Sequence, residues 1–282
     1  MTAIHDKASV FHALHQRDQI LVLLNAWDAA SARIFEAAGA PAIATTSSGV
    51  ANALGYPDGE AVPWKLHIRQ IQLIVETVGV PVTADIESGF AATVGELKVH
   101  IAEVIAAGAV GINLEDAHHG PSTDPLFSRD EQSARIAAAR ETADHAGVQL
   151  FINARTDVFL EKVRADDPAW QITETLERAR VFASAGANSI FVPGVTDREI
   201  IRQLAAEITL PLNILATAGT PGVSELQELG VKRVSIGSGA ARATLTLARK
   251  IAVELLGSGT YGFLEGAIPF AEVNALFGNR QS

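Results

Sequence analysis

The chain has 282 residues, of which 48% are hydrophobic and 6% aromatic, and its formal net charge is −10. This acidic balance, without any basic run, argues against general nucleic-acid binding, because neutralising phosphates requires clustered Lys and Arg. The chain has no Cys, which excludes disulfides, zinc–thiolate sites, iron–sulfur clusters and thiol nucleophiles.

The N-terminal region and the apolar stretches bear on cellular location. His5, Asp6, Lys7 and His12 interrupt the apolar residues near the N-terminus, which is not the pattern of a signal peptide. No uninterrupted apolar stretch is long enough to span a bilayer. We therefore expect a cytoplasmic protein that does not associate with membranes.

In chain order, short apolar runs rich in β-branched residues alternate with longer amphipathic segments. The runs predict strands at Ile20–Leu24, Ala42–Thr46, Val82–Asp85, Gly111–Glu115, Leu150–Ala154, Ser189–Val192, Leu212–Leu215 and Arg233–Ile236. The amphipathic segments predict helices at Asp28–Ala38, Trp64–Val78, Val94–Ala107, Arg129–Ala146, Trp170–Ala185, Asp197–Ile208, Ser224–Leu229 and Ala240–Leu255. Several helices end at a Gly, which suits the left-handed residue after a helix. The repeated βα unit predicts a parallel sheet.

The number of βα units favours a closed (β/α)8 TIM barrel over an open, doubly wound sheet. No G-x-G-x-x-G follows the first strand, which weakens the dinucleotide-binding alternative. No linker or composition break divides the chain, so residues 1–282 are interpreted as a single domain with an extra C-terminal helical segment. Residues 257–282 carry too many apolar side chains to remain in water. They could cap this barrel, and packing on a neighbouring subunit is the favoured alternative.

Acidic residues lie at the ends of the third and fourth predicted strands, at the end of the barrel where active sites lie. Asp85 and Glu87 are two residues apart and are predicted to point to one side of an extended chain. Together with Glu115 they would form a cluster of carboxylates that is costly unless a cation or a shared proton relieves it. Hard oxygen ligands suit Mg²⁺, with Mn²⁺ as an alternative. The competing interpretation is solvated loop residues or helix N-caps.

Further polar residues follow the second and fifth strands. Asn153 and Arg155 share a face, and the Arg fork suits a substrate carboxylate or phosphate. The alternative for Arg155 is a structural ion pair with Asp157 or Glu115. Hydroxyls and backbone amides that could cradle an oxyanion, or form an ordinary turn, occur at Thr46, Ser47, Ser48 and Gly49.

The stretch Ala117–Pro125 after the fourth strand is rich in Gly, Pro and small polar residues, as is typical of a movable lid. His118 or His119 could serve there as general acid or base, and an exposed pair of loop histidines is the alternative. The amides of Gly237–Gly239, at the start of the eighth helix, could bind an anion or form a packing turn.

In their order and spacing, these motifs resemble the phosphoenolpyruvate mutase/isocitrate lyase superfamily from Leu24 to about Ala248. The matching stretches are Leu24–Asp28, Thr46–Gly49 with Tyr56–Asp58, Ala84–Phe90, Gly111–Asp116 and Asn153–Asp157. The resemblance implies a (β/α)8 barrel, Mg²⁺ dependence and a homo-oligomer, either a dimer or, more usually, a tetramer that exchanges its last helix between subunits.

The resemblance also implies roles for individual residues. Asp85 would ligate the metal directly, and Glu87 and Glu115 would hold it directly or through water. Arg155 would bind a substrate carboxylate, Asp58 would lie beside the substrate, and the bound oxo-acid would contact Ser47, Ser48 and Gly49. The metal would chelate the oxo and carboxylate oxygens and stabilise an enolate as an adjacent C–C or C–P bond breaks or forms.

The sequence departs from this pattern mainly in the lid. Isocitrate and methylisocitrate lyases carry Lys-x-Cys-Gly-His, whose Cys is the acid/base, whereas the corresponding stretch here is Ala117–Gly120. Mutases and phosphonopyruvate hydrolases typically carry Lys and Asn in the lid, and neither occurs between Ala117 and Leu126. Many lyases place a Glu where this chain has Gly194, and Glu87 replaces a more usual Asp.

Three functions follow as hypotheses. The leading one is a Mg²⁺-dependent lyase that cleaves or forms a C–C bond in a small 2-oxo or hydroxy polycarboxylate, with His118 or His119 replacing the lid Cys. The second is C–P chemistry on a phosphonate, by a phosphonomutase or a phosphonopyruvate hydrolase. The third is a protein that binds 2-oxo acids without converting them.

Overall fold

The computed structural model describes residues 2–120 and 122–278. Its strands form a closed barrel in which each strand pairs in parallel with the next and β1 closes on β8. The strands are β1 (Leu21–Ala26), β2 (Ile43–Thr45), β3 (Val82–Asp85), β4 (Gly111–Glu115), β5 (Phe151–Arg155), β6 (Ser189–Val192), β7 (Leu212–Leu215) and β8 (Arg233–Ser235). The predicted TIM barrel and its eight strands are confirmed.

The helices surround this barrel in the predicted alternation. They are α1 (Thr2–Leu14), α2 (Ala29–Ala37), α3 (Ser47–Ala53), α4 (Trp64–Thr77), α5 (Val94–Ala106), α6 (Arg129–His145), α7 (Pro168–Ser184), α8 (Arg198–Glu207), α9 (Val223–Glu228), α10 (Gly239–Gly257) and α11 (Phe270–Phe277), with a 3-10 turn at Gly262–Leu264. Gly39 and Gly108, which follow α2 and α5, have φ of 95° and 89°, as predicted for helix ends. No helix in residues 2–120 and 122–278 has the length and apolar content needed to cross a membrane.

Helix α1, which the sequence pattern did not predict, covers the amino-terminal end of the barrel. Phe11 is fully buried and packs edge-on against Phe151 at the start of β5, with ring centroids 5.3 Å apart. His15 stacks on the same ring at 3.9 Å. The barrel is therefore closed at this end, and the opposite, carboxyl-terminal end is left for a site.

Polar side chains fill the middle of the barrel. Asn153 Nδ2 donates to Asn113 Oδ1 at 2.7 Å, and Ser189 Oγ donates to Asn153 Oδ1 at 2.5 Å. Asn213 and Ser235 are hydrogen-bonded to each other on β7 and β8. We call this set, with Arg233, the barrel polar layer. It lies between the end covered by α1 and the strand ends that carry the predicted site.

The C-terminal segment is helical, as predicted, but most of it lies apart from the barrel. After Ala241, the side chains of α10 are largely exposed, including Leu256 at 89%. Helix α11 contacts α2, yet Phe270 at its start is 82% exposed. Packing of residues 257–282 on a neighbouring subunit stays a prediction, and residues 279–282 lie outside the described part of the chain.

Candidate metal and substrate site

The acidic residues predicted from the strand ends lie together at the carboxyl-terminal end of the barrel. Asp85 ends β3, Glu115 ends β4, and Glu87 follows β3 by two residues. Their relative exposures are 7% for Asp85, 3% for Glu87 and 2% for Glu115. Burial on this scale does not fit the alternative that these acids are solvated loop residues.

Asp85 is held in place by neighbouring elements. The backbone N–H and the Oγ of Ser47, at the start of α3, both donate to Asp85 Oδ2 at 3.0 Å. His67 Nε2 on α4 donates to the backbone carbonyl of Asp85 at 3.0 Å. The other carboxylate oxygen, Oδ1, is buried and has no hydrogen-bond partner within the described residues. Because such an oxygen is costly to bury alone, it is a candidate ligand for a cation.

Glu87 lies in the site as predicted, but its orientation is not set by an extended strand. Strand β3 ends at Asp85, and Glu87 has a left-handed φ of 51°, so simple alternation along a strand does not orient it. The N–H of Glu60, itself at φ 57°, donates to Glu87 Oε2 at 2.7 Å. Glu60 Oε1 accepts from Ser88 Oγ and from the N–H of Phe90, both at 2.7 Å. Left-handed non-Gly residues cost about 1–2 kcal/mol each, and such strain is concentrated at functional sites.

Glu115 lies between two cationic groups. Its Oε1 is 2.6 Å from His119 Nε2, and its Oε2 is 2.6 Å from Arg155 Nη1. Arg155 also donates from Nε and Nη2 to the two carboxylate oxygens of Asp157, at 2.6 and 2.7 Å. Arg155 is thus ion-paired with both of the carboxylates named for that alternative, and its role in substrate binding stays a prediction.

The crowding of acids alters their protonation. Burial, followed by the charges of Glu115 and Asp58, raises the pKa of Glu87 to about 8. Burial also raises the pKa of Glu115, to about 7, against the opposing charge of Arg155. Burial opposes protonation of His119, but its hydrogen bond to Glu115 and the nearby carboxylates outweigh that and raise its pKa to about 9. The cluster therefore retains protons at neutral pH that a divalent cation could replace.

The carboxylates predicted as ligands fit a divalent cation, and His119 lies beside two of them. One oxygen each of Glu87 and Glu115 and a ring nitrogen of His119 lie within 4.8 Å of one another. Asp85 is outside this group, and its free Oδ1 is the third candidate carboxylate ligand. Carboxylate oxygens suit Mg²⁺ and Mn²⁺. The Nε2 of His119 holds a proton against Glu115 at neutral pH and is therefore not free to ligate a cation.

Of the residues after β2 that were predicted to bind an oxyanion, Thr46–Gly49, only some contact the acidic cluster. Ser47 contacts Asp85 directly, and Thr46 caps α3 by accepting from the N–H of Gly49 at 3.5 Å. A Cβ on Gly49 would lie 2.6 Å from Thr46 Cγ2, so packing alone requires a glycine there. Ser48 is half-buried beside them, and Asp58 is exposed, although its charge acts on Glu87.

Two other predicted binding groups are engaged within the protein. Asn153 belongs to the barrel polar layer and is fully buried there. The N–H groups of Ile236 and Gly237 both donate to Asn25 Oδ1 at 3.0 Å. Gly237–Gly239 therefore forms a packing turn, in which at least the amide of Gly237 already has a partner.

Comparison with known proteins identifies the family. A family model described as phosphoenolpyruvate phosphomutase matches residues 11–256. The chain belongs to the phosphoenolpyruvate phosphomutase family. It is thus an enzyme of the phosphoenolpyruvate mutase/isocitrate lyase superfamily, as the motifs predicted.

Three relatives of the family illustrate its range. A Burkholderia cenocepacia J2315 protein, provisionally named a phosphonomutase, is 45% identical over 88% of this chain and 99% of its own, with a TM-score of 0.82. A second protein of that organism, provisionally named a lyase/mutase, is 33% identical over 99% and 98% of the two chains, with a TM-score of 0.91. The 2-methylisocitrate lyase of Escherichia coli K12 is 26% identical over 78% of this chain and 73% of its own.

The lid of this family member separates its two histidines. The backbone of Ala117 pairs with that of Leu126 in an isolated antiparallel bridge, which folds the lid back on itself. His118 packs its ring on Phe127, with centroids 3.8 Å apart, whereas His119 contacts Glu115. Of the two, His119 is the one placed among the acids. Pro121 of the predicted lid lies outside the described residues.

The Gly that replaces a Glu of many related lyases also has a structural reason. Gly194 has a φ of 89°, and a Cβ there would lie 2.8 Å from the backbone N of Leu160. The loop after β5 therefore occupies the space that a side chain at position 194 would need.

Sequence reasoning missed Glu60 and His67, which support Glu87 and Asp85. Glu60 lies in a loop and His67 within an amphipathic helix, so neither had a pattern that set it apart. Asp157 was named only as a partner for Arg155, and that is the contact it makes.

Proposed function

We propose that this protein is a divalent-metal-dependent lyase, which cleaves or forms a C–C bond next to an enolate in a small 2-oxo or hydroxy polycarboxylate. The observation that carries the proposal is the contact of His119 with Glu115, at 2.6 Å, beside the buried Glu87. It puts a proton-holding lid group against a cluster of carboxylates.

The metal, Mg²⁺ or Mn²⁺, would be held by Asp85, Glu87 and Glu115. When bound, it would chelate the oxo and carboxylate oxygens of the substrate and offset the negative charge that develops on the enolate. Ser47 supports this by holding one oxygen of Asp85 and leaving the other free.

The remaining steps fall to side chains of the chain itself. Arg155, which keeps a charge at any accessible pH, would bind a substrate carboxylate from its position at the end of β5. Thr46, Ser48 and Gly49 line the same end of the barrel. His119 would supply the proton that the carbanion takes up after C–C cleavage, or remove that proton when the enzyme forms the bond. Asp58 would lie beside the bound substrate at the open end of the barrel.

The experiment is turnover on a panel of 2-oxo acids, hydroxy polycarboxylates and phosphonates, with and without Mg²⁺. On the substrate that reacts, His119→Ala should lower kcat by about 10²–10⁴-fold, the usual contribution of a general acid. His118→Ala is the matched control and should retain activity, because its ring packs on Phe127. Full activity of His119→Ala would remove this residue from the mechanism.

A second candidate is C–P chemistry on a phosphonate. It is favoured by the 45% identity to the protein provisionally named a phosphonomutase. Release of phosphate from phosphonopyruvate, or a shifted phosphorus resonance, would support it over the lyase. Stabilisation by ligands with no turnover on any of them would support a binding protein instead.

We also propose that the protein is a homo-oligomer, a dimer or a tetramer, in which α10 and residues 257–282 pack on a neighbouring subunit. Its support is the exposure of large apolar side chains along this segment, including Leu256 at 89% and Phe270 at 82%. Cytoplasmic location stays a prediction, to be tested by fractionation.

A further inference from the structure

A buried cation lies in the barrel polar layer below the candidate site. Arg233, the first residue of β8, is 0% exposed. Its Nη2 donates to Asn113 Oδ1 on β4, on the opposite side of the barrel, at 3.2 Å. Its Nε and Nη1 have no hydrogen-bond partner within residues 2–120 and 122–278. The guanidinium therefore lies inside the barrel rather than in the wall.

The position of Arg233 relates it to Asp85. Asp85 on β3 and Asn113 on β4 are direct partners in the strand register, so the contact with Asn113 brings Arg233 close to the strand that carries Asp85. The charge of Asp85 is the one that favours the protonated form of Arg233. Burial lowers the pKa of Arg233 to about 9, so the side chain is still a cation at neutral pH.

The groups on the other side of Arg233 do not balance its charge. His15, immediately after α1, lies toward the covered end of the barrel, and burial, followed by the charge of Arg233, lowers its pKa to about 3. His15 is therefore neutral. The hydrogen-bond partner Asn113 is also neutral, so the opposing charge comes from the site above.

Two other buried arginines, Arg178 and Arg135, have more acceptors around the guanidinium than Arg233 has. Arg178 is also buried, at 7%, but it pairs with Asp116 at 2.8 Å and with Glu174 at 2.8 Å. Buried ions are normally compensated in this way, because an unpaired buried charge is strongly destabilising.

Arg233 lacks such a carboxylate contact among the described residues. Arg135, buried at 4%, also lacks one there, but it donates to the backbone carbonyls of Ser88 and Ala91. In the described part of the chain Arg233 has a single acceptor, Asn113 Oδ1, so the fold compensates its charge least of the three.

We propose that Arg233 is a positioning residue that supplies a fixed positive charge beneath the carboxylates of the site. This charge lowers the affinity of the site for a divalent cation and raises its affinity for an anionic substrate. The inference rests on the proposed metal site at Asp85. A positive charge there opposes the divalent cation and attracts the anionic substrate. The two effects have opposite signs, which distinguishes them from simple damage to the fold.

The test measures two affinities in purified full-length protein. Mn²⁺ binding is measured by calorimetry, and oxalate, a dianion with the oxygen spacing of a 2-oxo acid, is then titrated at saturating Mn²⁺. In Arg233→Met, which keeps volume and loses charge, Mn²⁺ should bind tighter and oxalate weaker, each by about tenfold or more for a charge in this dielectric. Arg233→Lys should remain close to wild type in both.

Asn113→Asp gives a second variant, in case Arg233→Met does not fold. It neutralises the guanidinium by pairing it, so the two affinities should move in the same directions as in Arg233→Met. Ser235→Ala is the matched control, since it changes the barrel polar layer without changing charge, and both affinities should stay near wild type.

Two results would overturn the assignment of Arg233. One is a loss of both affinities together in the charge-changing variants, which indicates a structural role. The other is that Arg233→Met and Asn113→Asp bind both Mn²⁺ and oxalate with the affinities of the wild type, which indicates that the charge has no effect on the site. If the wild-type protein binds no Mn²⁺ at all, the proposed metal site itself fails, and that outcome is distinct from the other two.

Discussion

Raising the pH from about 6 to about 8 should strengthen the binding of Mn²⁺ to the metal-free protein. A carboxyl group must lose its proton to ligate a metal, and the pKa of Glu87 is raised to about 8 by burial and then by the charges of Glu115 and Asp58. With that pKa, roughly 1% of Glu87 is ionised at pH 6 and roughly half at pH 8, so Glu87 alone contributes roughly a 50-fold gain in affinity. Glu115, with a pKa of about 7, acts in the same direction.

Calorimetry in two buffers of different ionisation enthalpy measures this directly, because it separates the heat of binding from the heat of proton release. Proton release should be largest near pH 6 and should decline by pH 8. Glu87→Gln is the matched control, and we expect weaker binding with a shallower dependence on pH. Equal affinities at both pH values, without proton release, would refute the reasoning, since they would mean that the acids are already ionised.

Three further predictions concern stability and assembly. At pH values between the ordinary pKa of a Glu and about 8, folded Glu87 holds a proton that the unfolded chain has lost. The free energy of unfolding of the metal-free protein should therefore fall as pH rises, by at most about 1.4 kcal/mol per pH unit. Thermal denaturation should show a smaller fall in Glu87→Gln, and an equal fall in that variant would contradict this prediction. Gly49→Ala should cost about 1–3 kcal/mol by overpacking, because its Cβ would meet Thr46 Cγ2 at 2.6 Å; urea denaturation tests it, with Ser48→Ala as the control, and an unchanged midpoint would be inconsistent with that clash. Leu256→Glu should lower the mass measured by light scattering if a neighbouring subunit covers this side chain, whereas an unchanged oligomer would argue against α10 as the interface.

The barrel could be predicted from the sequence because its signals are local and repeated. Each strand is a short apolar run, and helices such as α2 and α5 end at a Gly with positive φ. Helices α1 and α3 were missed for different reasons. Helix α3 is short and built of small residues, and its start is set by the cap on Thr46, which resembles any Ser/Thr turn. Helix α1 owes its position to contacts such as Phe11 with Phe151, which are distant in sequence.

The candidate site was only partly predictable, because some of its side chains are oriented by local strand geometry and others by contacts distant in sequence. Position at a strand end was enough to identify Asp85 and Glu115, since the strands fix their direction. The direction of Glu87 depends instead on a left-handed residue and on Glu60, 27 residues away. The choice of His119 over His118 depends on how the lid folds back, and no local pattern distinguishes two adjacent histidines.

The ion pairs of Arg155 have a kinetic consequence. Its Nε, Nη1 and Nη2 all face carboxylates of Glu115 or Asp157, so the guanidinium has little capacity left for a third acid. An incoming anion can contact Arg155 Nη1 only after Glu115 has left it to ligate the metal cation. Cation and anion should therefore arrive in a compulsory sequence, with the cation first, and initial-rate patterns should be those of an ordered rather than a random mechanism.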